Sequence, residues 1–236
     1  QKVVTVSPDY ADNTKFADEW LPAQAGTDAA LAMAMGHVIL KEFFVDRQVP
    51  FFTDYVKTYS DLPFLITLTD NAEHGGRVPG KFLTEADLES AGADAQPEAA
   101  WKTVLLDAAS GKPVVPNGSM GFRYADSGVG RWNLDLEGVT PALSIRDVDD
   151  DEVVEVLLPC FEAADGSGSV LRRGVPVMRI GNHVVTTVFD LMLAQHGVAR
   201  PDLPGSWPTG YDDPTTPYTP AWQAEITSVP AEACIR

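Results

Sequence analysis

The stretch VVTVSPDYADNTKFADEWLPAQAGTDAALAMAMGHVILKEFF, residues 3–44, carries the signals that set the fold class. Val3-Val4-Thr5-Val6 is a β-branched run of the kind that forms a strand, and Ser7-Pro8-Asp9 is its terminating turn. Residues 10–18 predict a short exposed helix with Phe16 and Ala17 turned inward, and Glu19-Trp20-Leu21 a second short strand. Thr27 stands where it would cap a long helix over residues 28–44, with Asp28 in the first turn, where the helix dipole favours an anion. That helix carries Ala29, Ala30, Leu31, Met33, Met35, Val38, Ile39 and Leu40, apolar nearly all round, which predicts burial on most sides. A second helix is expected over residues 51–59. Strand, helix, strand, helix, joined by a right-handed crossover, makes the two strands parallel neighbours in one sheet.

From residue 63 the texture changes. Short β-like runs at residues 64–68, 103–106, 153–158 and 175–180 alternate with Gly, Pro and Asp turns. Gly111-Lys112 and Gly181-Asn182 suit hairpin turns, and residues 186–196 predict one more helix closed by Gly197. Prolines make residues 199–220 irregular, and Ser228 with Pro230 reads as the start of a helix cut short at Arg236. The expected fold class is therefore α/β: a partial doubly wound parallel sheet with helices, plus a β-rich irregular insertion. The expected divisions are an α/β part over residues 1–62, the insertion over 63–216, and a return segment to the α/β part over 217–236. A first strand starting at once, and a last helix too short to stand in water, give the expectation of a piece of a longer polypeptide.

Composition narrows the chemistry. Among 236 residues, 34 are Asp or Glu and 17 are Lys or Arg, and a formal charge of −17 argues against nucleic acid as a partner. An apolar fraction of 44% is enough for a real core, and no run approaches the length of a membrane span, so no direct membrane insertion is expected. Cys160 and Cys234 lie far apart with no Cys or His at ligand spacing, so no metal site is spelled, and a reduced setting fits them best. The acidic run over residues 147–152 reads as a solvated turn, and Asn117-Gly118-Ser119 matches a glycosylation sequon without a secretory context.

In an open parallel sheet, ligands sit beyond the carboxyl ends of the strands, where backbone amides and helix N-termini converge. Two loops qualify. One holds Ser7, Pro8, Asp9 and Tyr10, and the other Gly26, Thr27 and Asp28. Gly26 allows close approach, Thr27 offers a hydroxyl, and the carboxylates of Asp9 and Asp28 accept from an N–H pair such as the guanine N1/N2 edge. The competing reading of the same residues is plain capping and turn formation. His37 reads as a core histidine bonded to a carbonyl, whereas His74, His183 and His196 have no carboxylate spaced to orient them. Trp101, Trp132, Trp207 and Trp222 read as packing anchors. No nucleophile elbow, P-loop or Gly-x-Gly-x-x-Gly pattern is present, so no catalytic residue is assigned.

The runs Lys2-Val3-Val4-Thr5-Val6-Ser7-Pro8-Asp9-Tyr10, Ala17-Asp18-Glu19-Trp20-Leu21-Pro22 and Gly26-Thr27-Asp28-Ala29-Ala30-Leu31 closely resemble the molybdopterin oxidoreductase superfamily. Phe52-Thr53-Asp54-Tyr55-Val56, Val115-Pro116-Asn117-Gly118-Ser119-Met120-Gly121-Phe122-Arg123 and Tyr218-Thr219-Pro220-Ala221-Trp222 narrow the likeness to catalytic alpha subunits of membrane-bound respiratory nitrate reductases. The likeness spans nearly the whole chain and is weak over residues 138–174. It implies a molybdenum bis(molybdopterin guanine dinucleotide) enzyme reducing nitrate to nitrite in anaerobic respiration, with electrons relayed from quinol through iron–sulfur clusters. It further implies the remaining domains of the alpha subunit, an iron–sulfur beta subunit and a membrane gamma subunit as partners, on the cytoplasmic side of the cell membrane.

Carried over residue by residue, the contacts to the guanine dinucleotide fall on Ser7, Pro8, Asp9, Tyr10, Gly26, Thr27 and Asp28. The family's His/Cys motif for a 4Fe-4S cluster, its aspartate ligand to molybdenum and its C-terminal pterin-binding domain have no counterpart here. The chain alone is therefore expected to bind no metal or complete cofactor and not to reduce nitrate. A stand-alone acidic interaction module is the alternative that the charge keeps open.

Overall fold

β1 (Val4–Val6) and β2 (Glu19–Leu21) pair in parallel, with Val4 opposite Glu19 and Val6 opposite Leu21. The coordinates come from a computed structural model, which describes residues 1–88, 97–116, 136, 138–148, 152–160 and 170–236. Only a three-residue 3-10 turn, Thr14–Phe16, lies between the strands, and its orientation corrects the sequence reading. Thr14 is buried and Phe16 is 82% exposed, with Ala17 half-buried. A single turn can send little more than one side chain inward. Thr14 takes that place, its hydroxyl donating to the Asp9 carbonyl.

α1 (Asp28–Leu40) is rich in Ala, Leu and Met, which lose little side-chain freedom in a helix. It continues through a π-type turn, Lys41–Asp46, two residues past the expected end. Ala30, Leu31, Ala34, His37, Val38 and Leu40 are buried, while Ala29, Ala32, Ile39 and Phe43 face outward, so burial is narrower than the apolar composition predicts. Thr27 makes no side-chain cap; its hydroxyl donates instead to the Gln24 carbonyl at 2.6 Å. α2 (Pro50–Tyr59) opens on proline, which costs nothing where the N–H is free anyway.

The insertion closes on itself. β3 (Leu65–Asp70) and β4 (Arg77–Phe82) are antiparallel, and β5 (Leu105–Asp107) and β6 (Lys112–Val114) form a separate hairpin whose turn uses Gly111 at φ 69°. β7 (Glu152–Pro159), β8 (Val170–Ile180) and β9 (His183–Thr187) complete a five-stranded barrel in the order β3-β4-β7-β8-β9. All its pairings are antiparallel except the short parallel contact of Arg77 with Val156. Gly181, at φ 55°, makes the β8–β9 turn. Closure leaves the barrel without an open edge.

α3 (Val188–Gln195) starts at Thr187, whose hydroxyl accepts from the Asp190 amide, and ends before Gly197 at φ 75°. α4 (Pro220–Thr227) and α5 (Ala231–Ile235) follow. Ser228 was expected to begin a helix; it takes a left-handed φ of 65° and ends α4, and Pro230 leads into α5. Its hydroxyl serves as acceptor for the Gln24 side chain.

Helices and barrel share their core. Leu68, Val156, Val175, Val177 and Val184 of the barrel pack with Ala30, Ala194, Tyr218 and Trp222 from α1, α3, the segment before α4, and α4. A second cluster joins Leu40, Phe44 and Val56 to Phe189 and Leu193 of α3. Each such fully buried side chain contributes roughly 1.5–3 kcal/mol. The helix junction is tight enough that a Cβ on Gly36 would lie 2.6 Å from the His196 ring. Trp222 and Trp207 pack as anchors, but Trp101 is 69% exposed, contrary to expectation, and Trp132 lies outside the described residues.

Arg173 of β8 is fully buried and binds no carboxylate among the described residues. Its guanidinium donates to the carbonyls of Ala194, Gln195, Ser206 and Pro217, and it faces the Trp207 ring at 5.3 Å. Burial pulls its pKa down to about 10, so it stays charged near neutrality. One side chain thus ties the barrel, the end of α3 and the irregular segment together. Nearby, Asp190 is buried and accepts from Arg200 at 2.7 Å, from the Ser144 hydroxyl and from the Ile145 amide.

Candidate cofactor site at the parallel-strand edge

Because β1 and β2 run in parallel and in register, the chain leaves both at the same edge of the sheet. The first loop is pinned to the second strand. The Ser7 amide donates to the Leu21 carbonyl, the Trp20 ring N–H donates to the Ser7 carbonyl at 2.8 Å, and Tyr10 meets Trp20 edge-on at 5.4 Å. The Ser7 hydroxyl donates to the Asp9 carboxylate at 3.1 Å. Ser7 is half-buried, whereas Pro8, Asp9 and Tyr10 are exposed.

The second loop is held from the far end of the chain. Gln24 donates its amide to the Thr227 carbonyl and its side chain to the Ser228 hydroxyl. Behind it lies a satisfied buried network. Thr227 donates to Gln223, the Gln223 amide donates to the carbonyls of Pro220 and Val229, and the Val229 amide donates to Thr227. A network with every member paired fixes geometry in a low-dielectric interior. Gly26 sits at φ 83°, a conformation other residues adopt only with strain, and the space where a side chain would stand is open. Thr27 is half-buried, and Asp28 is exposed with no protein partner among the described residues.

The structure therefore places the seven residues in two groups that start from one edge, with no direct hydrogen bond between the groups among the described residues. What this edge offers is specific: two exposed carboxylates that act only as acceptors, open backbone at Gly26 and the first-turn amides of α1. Carboxylates of this kind accept from N–H donors. The positioning residues Trp20, Gln24, Gln223 and Thr227 were not singled out from sequence. A tryptophan and buried amides near two loops are the local signal for them, but their partners stand up to about two hundred positions away, as the 204-residue separation of Gln24 from Ser228 shows.

Among the described residues no histidine is hydrogen-bonded to a carboxylate. His37 is buried and its Nδ1 lies 2.7 Å from the His196 carbonyl, as expected for a core histidine; burial pushes its pKa down to about 4 despite that contact. His196 is likewise lowered by burial, its ring bonded to the Met192 carbonyl. Asp147 accepts amides from Leu143 and Ser144 and Glu152 pairs with Arg179, while residues 149–151 of that acidic run and 117–119 of the sequon lie outside the described residues. No helix of the described residues is long and apolar enough to cross a membrane.

The family model for molybdopterin oxidoreductases matches residues 1–193. The chain belongs to the molybdopterin oxidoreductase family. It is similar along its whole length to the nitrate reductase alpha subunit of Mycobacterium tuberculosis, at 59% identity, and to the respiratory nitrate reductase 1 alpha chain of Escherichia coli, at 40%. The match to the perchlorate reductase alpha subunit of Dechloromonas aromatica, at 33%, covers 51% of the chain. This member of the family spans about a fifth of the nitrate reductase subunits it matches, 19% of the first and 20% of the second.

Proposed function

We propose that this chain acts as part of a catalytic alpha subunit that reduces nitrate to nitrite in anaerobic respiration, and that its edge loops hold the nucleotide end of the molybdopterin cofactor in its guanine dinucleotide form. In this reading residues 1–62 and 217–236 make the nucleotide-holding part, and residues 63–216 the elaboration. The observation that carries it is the common edge of β1 and β2, beyond which stand Asp9 and Asp28, the latter exposed and without a partner among the described residues. Asp9 and Asp28 accept the guanine N–H groups, Ser7 orients Asp9, Gly26 lets the backbone approach, and the Trp20 and Gln24 contacts keep both loops in place.

The cofactor supplies two-electron chemistry at molybdenum, which takes nitrate, two protons and two electrons to nitrite and water. This chain contributes binding and orientation on the cytoplasmic side of the membrane, with catalytic groups, the 4Fe-4S cluster, the iron–sulfur beta subunit and the membrane gamma subunit lying outside it. Among the described residues no group of His, Cys, Asp and Glu is arranged to hold a metal ion, so the fit concerns the nucleotide alone.

The test is made in the full-length subunit. Asp28→Asn removes one charged acceptor and turns a donor toward a donor, which weakens nucleotide binding by about 10–100-fold. Molybdenum content and released guanine nucleotide then fall together with viologen-driven nitrate reduction. Normal cofactor content in the Asp9→Asn, Asp28→Asn double variant overturns the assignment, and turnover by the 236-residue chain without added protein overturns the division of labour.

A further inference from the structure

We propose that the barrel carries a second, separate site, a pocket for a small oxyanion where the ends of β3 and β4 meet the β8–β9 turn. The pocket has a volume of about 460 Å³, and its lining includes Asp70, Arg77, Lys81, Arg179, Asn182 and His183. In a chain with twice as many acidic as basic residues, three cations converge on one cavity with a single carboxylate among its lining groups. Each cation also holds a carboxylate, Asp70, Asp87 or Glu152, so the site is close to neutral in a chain that is acidic overall.

The cations are available to different degrees. Lys81 is committed: its partner Asp87 also closes the capping box with Thr84, so its charge is largely neutralised and the two guanidiniums are the groups left to bind. Arg77 pairs through Nε with Asp70, which is 83% exposed, and Arg179 pairs with Glu152, which is 40% exposed. Ion pairs this open to water contribute little, so either guanidinium can exchange its carboxylate for a better-placed anion. Arg77 has a reason to do so. Its Nη1 is buried and has no hydrogen-bond partner among the described residues, an unfavourable state that an incoming acceptor relieves.

Turning the Arg77 fork toward the cavity gives Nη1 that acceptor and presents two parallel N–H groups to two oxygens of one anion. Asn182 and His183 have no side-chain partner among the described residues, line the same cavity and can donate. The ligand class follows from this geometry: a compact anion with several oxygens, such as sulfate, phosphate or nitrate. The site does not depend on the nucleotide reading, since none of its residues lies on the β1–β2 edge.

The experiment is a titration of the whole chain, nitrogen-15 labelled, with sulfate, phosphate and nitrate at an ionic strength held constant with chloride. Saturable shifts confined to the amides around Asp70, Arg77, Asn182 and His183 are expected, and the anion that saturates lowest identifies the source. Shifts linear in concentration, spread over the surface, or matched by chloride alone overturn the site. Arg179→Gln, at an exposed side chain that leaves folding intact, weakens saturation about tenfold. Unchanged affinity in that variant overturns the assignment even if Arg77→Gln cannot be purified.

Discussion

The barrel and the β1–β2 pair are made from the same residue types and end up in opposite physical situations. In β8 and β9, Val175, Val177, Val184 and Val185 are buried and the strands have neighbours on both sides. In β1, Val4 and Val6 are 48% and 45% exposed, and each strand of the pair has one neighbour only. A two-stranded sheet is marginal in water and here leans on α1, α5 and the residue pair before α5 through Leu21, Ala23, Leu31, Val229 and Cys234. The barrel is self-sufficient in hydrogen bonding; the pair is a ledge that holds loops. Buried strand packing and exposed loop support are thus divided between two parts of one chain.

The sharpest way to break that contrast is on the barrel side. Asp190→Ala leaves Arg200 buried without its carboxylate and strands the Ile145 amide, so a loss of about 3–5 kcal/mol is expected in chemical denaturation. A loss below 1 kcal/mol would mean that the junction is held by packing alone.

Next in size is a pH effect at the α1–α3 contact. His37 has a folded pKa lowered to about 4 from an ordinary 6.5, so the unfolded chain binds more protons between those values. The stabilisation is complete above pH 6.5 and declines as pH falls towards 4, by roughly 3 kcal/mol. Urea midpoints measured from pH 7 to 4 should show this slope, and His37→Gln should flatten it; an unaltered slope in the variant removes His37 as the cause. The smallest effect belongs to the ledge. Val4→Thr should shift stability by no more than about 0.5 kcal/mol, because the side chain is already half in water. A shift above 2 kcal/mol would show that β1 is buried in solution.

Much of the ledge was legible in residues 3–59, because β1, β2, α1 and α2 depend on patterns that close within a few positions. Its errors are instructive. Phe16 and Trp101 are apolar yet exposed, since burial depends on what lies opposite and not on the side chain's own preference. Thr27 looks like a cap but spends its hydroxyl on Gln24, an alternative that the spacing alone does not distinguish. In the barrel, runs such as residues 153–158 read as strands, whereas β4 contains Pro79 and Gly80 and gives no strand signal. Closure rests on the contact between Arg77 and Val156, which nothing local announces.

The sequence by itself determined the parallel strand pair, the long helix and the residue types at the edge, because these follow from side-chain period and turn chemistry over short distances. Tertiary structure alone decided that Gln223 and Thr227 would brace the Gln24 loop, that Arg173 would be buried among carbonyls, and that Arg77, Lys81 and Arg179 would face one cavity. Those outcomes depend on where distant backbone comes to rest, and a buried polar group takes whichever partner the packing leaves within reach.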